Sequence, residues 1–275
     1  MKRALLLLLA GLLSACAILP SPADRRALAD RLAWAHGWQA SQFATGSFDL
    51  VAYLPSQIKP HEVLTVYIEG DGLAWISSSQ PSTDPTPLRT PTGLQLALKH
   101  PEGNAAYLAR PCQYGDAEAQ GCAVRYWTSA RFAPEVIDAE SKALDEIKAR
   151  FQAKQLTLVG YSGGGAVAAL LAARRSDVVR LITVAGNLDH VAWTQHHRIQ
   201  PLIDSLNPAD QRVALSKIPQ WHFVGADDRV VPSLVADSFS AGFPEERKPK
   251  IILIKKYNHT CCWADDWANV WKRMP

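Results

Sequence analysis

The sequence contains no run of like charge, and its residues are 48% hydrophobic and 20% charged. Disorder is therefore excluded as its main state. No self-similar period is present, and Gly 16 and Pro 18 are ordinary counts, which excludes collagen-like and repeat architectures. Neither sign of charge is in large excess: Lys+Arg 29 against Asp+Glu 26 gives +3. So small an imbalance gives no argument for a nucleic-acid partner. The five cysteines lack paired C-x-x-C spacing, which argues against a zinc site, and no other cofactor is predicted. No apolar run is long enough for a permanent membrane span; the longest is Ala4 to Leu13. What is present is 275 residues, enough for one sizeable core of the length that a single α/β domain commonly fills.

The short apolar run follows Lys2 and Arg3 and ends in Leu13-Ser14-Ala15-Cys16. A basic start, a short apolar stretch and small residues before a cysteine form an export signal. The segment resembles a bacterial lipoprotein signal. That resemblance implies cleavage before Cys16, lipidation of its thiol and of the new amino terminus, and a membrane anchor there. Ala17, in place of Asp, points by the same resemblance to the outer membrane of a Gram-negative cell, on its periplasmic face. Residues 1–15 are then the signal, 16–23 a tether and 24–275 the folded domain. Setting Lys2 and Arg3 aside leaves 27 basic residues against 26 acidic, so the positive charge belongs mostly to the signal.

Beyond the tether, strand and helix patterns alternate. Asp24 to His36 reads as an amphipathic helix. Strands are predicted at 48–54, 63–68, 105–109, 156–159, 181–184, 220–224 and 251–254 from β-branched and aromatic runs. Helices are predicted at about 134–153, 164–174 and 263–272. Such alternation gives a mainly parallel sheet with helices on both faces, whose ligands bind beyond the carboxyl ends of the strands.

Three predicted strand ends carry functional groups. Gly160-Tyr161-Ser162-Gly163-Gly164 joins a strand to a helix, the context in which G-x-S-x-G forms a sharp turn exposing the serine hydroxyl. Gly225-Ala226-Asp227-Asp228-Arg229-Val230-Val231-Pro232 follows the strand at 220–224, and by position either aspartate could orient a histidine. His259 follows the strand at 251–254 and is the only one of the eight histidines after Asp228.

Over residues 48 to 273 the chain resembles the α/β-hydrolase superfamily. The resemblance implies a serine hydrolase, with Ser162 as nucleophile and His259 as base, in the chain order Ser, acid, His. Its acid-loop register, G-x-x-D-x-x-V-P, selects Asp228. It also implies an oxyanion hole from the backbone N–H of Gly163 and one from Glu69-Gly70-Asp71-Gly72. Aligning the glycines makes Asp71 the second donor. Glu69 stands where the family usually has His, so Gly72 remains an alternative. The Asp71 carboxylate is expected to turn away and brace its loop. Residues of about 187–217 occupy the position of a small cap, whose sparse Leu and Phe predict a modest acyl substrate taken by a monomer. The expected reaction is cleavage of carboxylic esters through an acyl-enzyme on Ser162; the other readings are a peptidase or thioesterase of the same fold and a non-catalytic envelope lipoprotein that uses the scaffold for binding. Cys112 and Cys122 are expected to pair beside the site rim, and the state of Cys261 and Cys262 is left open.

Overall fold

Strands that are apolar at nearly every position can leave neither face to water, so the sheet they form must be covered on both sides. In the computed structural model, which describes residues 19–89, 91–115 and 121–274, this is the arrangement. The strands are β1 (Trp38–Ala44), β2 (Asp49–Pro55), β3 (Val63–Ile68), β4 (Asn104–Leu108), β5 (Gln155–Tyr161), β6 (Val178–Val184), β7 (Gln220–Gly225) and β8 (Lys250–Ile254). They form one sheet in the order β1-β2-β4-β3-β5-β6-β7-β8. The β1–β2 and β2–β4 pairs are antiparallel, and the remaining pairs are parallel.

The helices are α1 (Pro22–Ala35), α2 (Thr92–Leu98), α3 (Pro134–Arg150), α4 (Gly163–Arg174), α5 (His190–His197), α6 (Arg212–Leu215), α7 (Ser233–Ala241) and α8 (Trp267–Trp271). Alternate residues of each strand point to opposite faces. Leu64, Val66 and Leu158 therefore pack with α3 and α4, while Tyr67 and Val159 pack with α1, α2 and α8. The Ala- and Leu-rich α4 is buried from Gly163 to Ala172, because it lies directly beneath the centre of the sheet.

Several elements depart from the sequence expectation. β1 is a polar edge strand, Trp-Gln-Ala-Ser-Gln-Phe-Ala, with no apolar run; pairing with β2 along seven residues makes it a strand. α2 and α7 are short, and their apolar positions lie within loops rich in Pro, Ser and Thr or beside the acid loop. The final helix is shorter than expected. α1 begins at Pro22, inside the expected tether, because Ser21 and Asp24 form a reciprocal capping box. Residues 187–217 hold α5, a 3-10 turn at Pro208–Gln211 and α6. Cys16 and the signal segment lie outside the described residues. Among the described residues, no helix is long and apolar enough to cross a membrane.

Candidate active site

Parallel pairing brings the ends of β3, β5, β7 and β8 to one edge of the sheet, where Glu69, Ser162, Asp228 and His259 follow them. Ser162 has φ 52° and ψ −122°, a conformation that L side chains rarely adopt. The turn is held by its neighbours. The Ser162 N–H donates to the Val184 carbonyl at 3.0 Å, and the Ser162 carbonyl accepts from Gly165 and Asn187 N–H at 2.9 and 3.0 Å. A Cβ on Gly160 would run into the Gly164 carbonyl, and one on Gly164 would run into the carbonyls of Ile68 and Glu69. The two flanking glycines are thus required by close backbone approach.

The structure brings Ser162, His259 and Asp228 into one hydrogen-bonded chain. His259 Nε2 lies 3.0 Å from Ser162 Oγ, and His259 Nδ1 lies 2.8 Å from Asp228 Oδ2. An ionised carboxylate only accepts, so the proton sits on Nδ1 and Nε2 accepts from the serine hydroxyl. Asp228 Oδ1 accepts from the backbone N–H groups of Val230 and Val231 at 2.8 and 2.9 Å, and Asp228 is buried. Asp227, by contrast, is exposed. The His259 carbonyl accepts from Tyr161 OH at 3.0 Å and Trp263 Nε1 at 3.1 Å. Asn258 Oδ1 accepts from the N–H groups of Thr260 and Cys261, and Cys261 is disulfide-bonded to Cys262. The histidine loop is therefore fixed from both ends.

The loop after β3 runs across Ser162: a Cβ on Gly70 would meet Ser162 Cβ at 3.2 Å. Among the described residues, the N–H groups of Gly163 and Asp71 donate to no protein acceptor. Glu69 locks this loop. Its carboxylate accepts from the N–H groups of Gly70, Gly93 and Leu94 at 2.9, 3.1 and 3.3 Å and from Tyr107 OH at 3.1 Å. Burial pushes the Glu69 carboxyl up, and these donors oppose the shift. The Asp71 carboxylate braces the loop as expected, through Arg131 Nη1 at 2.6 Å and Arg110 Nη1 at 3.4 Å. It does not turn away from Gly163, however. It lies directly on Gly163, where a Cβ would collide with both of its oxygens. The two arginines stand on the same side and draw it there.

A cavity of about 840 Å³ opens over Ser162 and His259, walled by Trp75, Leu88, Trp193, Ile199, Leu202 and Val231. Of the cap aromatics and histidines, Trp193 lines it, whereas His190 is buried against Phe132, His196 is exposed and His197 is half-buried. Cys112 and Cys122 are bonded, with Cα atoms 5.7 Å apart, but neither lines the cavity. On that side the wall comes from Thr128, Ser129 and Arg131. Among the described residues, no three His, Cys, Asp or Glu side chains converge as metal ligands.

Sequence reasoning missed Arg110, Arg131 and the anchoring role of Glu69. Each acts on a residue 24 to 60 positions away, which no local pattern displays.

No family model and no curated protein matches the chain. Solved structures do. Est1E of Butyrivibrio proteoclasticus with ferulic acid bound is 14% identical, over 85% of this chain and 97% of its own, with a TM-score of 0.59. The α/β hydrolase GrgF of a Penicillium species is 14% identical over 86% and 96%, with a TM-score of 0.58. An esterase domain of a Rhodothermus marinus protein is 15% identical over 86% and 95%, with a TM-score of 0.56. At these identities the likeness is one of fold: the chain has the α/β-hydrolase fold.

Proposed function

We propose that the chain is a serine hydrolase that cleaves carboxylic esters through an acyl-enzyme on Ser162. The observation that carries this reading is the Ser162–His259–Asp228 chain at the floor of the large cavity. Ser162 Oγ attacks the ester carbonyl as His259 Nε2 takes its proton. Asp228 holds the resulting imidazolium. The negative oxygen of the tetrahedral intermediate accepts from the free N–H groups of Gly163 and Asp71. His259 then protonates the leaving alcohol, and water activated by the same imidazole releases the acid. The esterase domain among the similar structures favours esters over amides.

Few Leu and Phe in residues 187–217 predict a modest substrate. The cavity is larger than that, because Trp75 and Leu88 of the loop before α2 add apolar wall to that of Trp193, Ile199 and Leu202 from the cap. The preferred ester therefore carries a sizeable apolar group. Each further methylene buried there is expected to raise kcat/KM by about fourfold until the cavity is filled. A p-nitrophenyl ester series from acetate to laurate measures this; a flat profile would count against the apolar-group assignment. The wild-type protein is expected to be labelled by a fluorophosphonate and the Ser162→Ala variant is not. Absence of labelling and of hydrolysis across esters, thioesters and amides would leave the binding-scaffold reading in its place.

The N-terminal sequence supports export and lipid anchoring at Cys16, in the outer membrane of a Gram-negative cell. Cys16→Ser is expected to move the protein from the membrane pellet to the soluble fraction; continued pelleting of this variant would refute the anchor.

A further inference from the structure

The nucleophile's own surroundings contain a feature that a serine hydrolase does not need for its proton relay: an aspartate carboxylate placed on the residue that supplies an oxyanion donor. Asp71 and Arg131 both line the cavity. The Asp71 oxygens occupy the space where a Gly163 side chain would stand. A unit negative charge within about 5 Å of a developing oxyanion slows the reaction by about two orders of magnitude at an effective dielectric of about 20. The Asp71 charge must therefore be answered locally.

It is answered by two arginines from separate segments. Arg131, which precedes α3, meets Asp71 Oδ2 at 2.6 Å with Nη1 and donates from Nε to the Thr128 carbonyl at 2.8 Å. Arg110, just past β4, reaches Asp71 Oδ1 at 3.4 Å and donates from Nη2 to the Arg131 carbonyl. Both side chains are at most 7% exposed, so solvent screens their charges weakly. Arg110 Nε also lies 3.2 Å from the fully buried Glu140. Burial pushes the Glu140 carboxyl up and Arg110 opposes that shift, so Arg110 is shared between Glu140 and Asp71. Arg131, with the shorter of the two contacts, is then the main counter-ion of the Asp71 carboxylate.

We propose that Arg131, backed by Arg110, is a positioning residue that neutralises and pins the Asp71 carboxylate against Gly163, keeping the Asp71 amide in register and the Asp71 charge from opposing the oxyanion. This rests on the hydrolase reading above. It makes Asp71 harmless only as part of a charge group, and that property is open to a charge-compensation test.

The test uses the whole protein and three variants: Arg131→Gln, Asp71→Asn and the double variant. Arg131→Gln leaves Asp71 underneutralised and is expected to lower kcat about 100-fold with KM within about threefold, and to slow phosphonylation of Ser162 in parallel. Adding Asp71→Asn to it is expected to recover at least tenfold of the lost kcat. A merely structural arginine predicts the opposite, a double variant at least as slow as Arg131→Gln. Arg131→Gln within threefold of wild type, or no recovery in the double variant, overturns the proposal. If Arg131→Gln does not fold, the double variant is compared with wild type directly: kcat within 100-fold supports the proposal, and a larger loss overturns it. A wild type that neither hydrolyses esters nor is phosphonylated overturns the hydrolase reading and this proposal together, whereas an active wild type without compensation overturns this proposal alone.

Discussion

Ser162→Ala is expected to remove about six orders of magnitude from kcat for ester hydrolysis, and Asp228→Asn about four. The first figure follows from loss of the attacking oxygen. What survives is background catalysis by the oxyanion donors and the cavity. The second follows from the way Asp228 is held. Its Oδ1 accepts from two backbone N–H groups, of Val230 and Val231, at 2.8 and 2.9 Å. An asparagine must keep its one oxygen on those donors and turn its NH2 toward His259. Nδ1 then accepts, the ring proton moves to Nε2, and the base faces the serine hydroxyl with a hydrogen where it needs a lone pair. Steady-state kinetics on an activated ester, with the melting temperature as control, measures both. An Asp228→Asn variant within tenfold of wild type would sink the assignment of Asp228. The losses are not additive: Ser162→Ala with Asp228→Asn is expected to be no slower than Ser162→Ala alone.

Glu69→Ala is expected to destabilise the fold by about 3–5 kcal/mol, lowering the melting temperature by roughly 8–15 °C. The carboxylate is 2% exposed and joins the end of β3 to the start of α2 and to Tyr107 on β4. Removing it leaves three backbone N–H groups and a phenol without an acceptor in a place water does not reach. Glu69→Gln keeps one acceptor oxygen but presents an NH2 to the remaining donors, so it recovers only part of the loss. Calorimetry on the three proteins gives the order wild type, Gln, Ala. A Glu69→Ala variant melting within 2 °C of wild type would show that the four contacts do not hold the loop.

The parallel centre of the fold was legible because β3, β5 and β6 are continuous apolar runs and α3 has a clear stripe. Local chemistry also marked the serine turn: the glycines at 160 and 164 are read from one short stretch, and the collisions that a Cβ there would cause give the reason. Asp228 over Asp227 was resolved only by a family register, because the neighbouring residues are chemically identical and differ in which way the turn points them. β1 was invisible because an edge strand needs no apolar face; its structure comes from pairing with β2. The bracing of Asp71 and the anchoring of Glu69 were invisible for a different reason. Both are electrostatic relations between distant segments, and periodicity carries no information about them. The carboxylate of Asp71 was expected to turn away and brace its loop; it braces the loop through Arg110 and Arg131, and their charge lets it stay against Gly163.

Ser162 and His259 stand 97 residues apart in the chain. During synthesis at about 5–20 residues per second, Ser162 is made roughly 5–20 s before His259. For that interval the chain holds Ser162 without His259. The pair is completed only when β8 has taken its place at the sheet's edge, so the last strand of the sheet decides when Ser162 gains its partner.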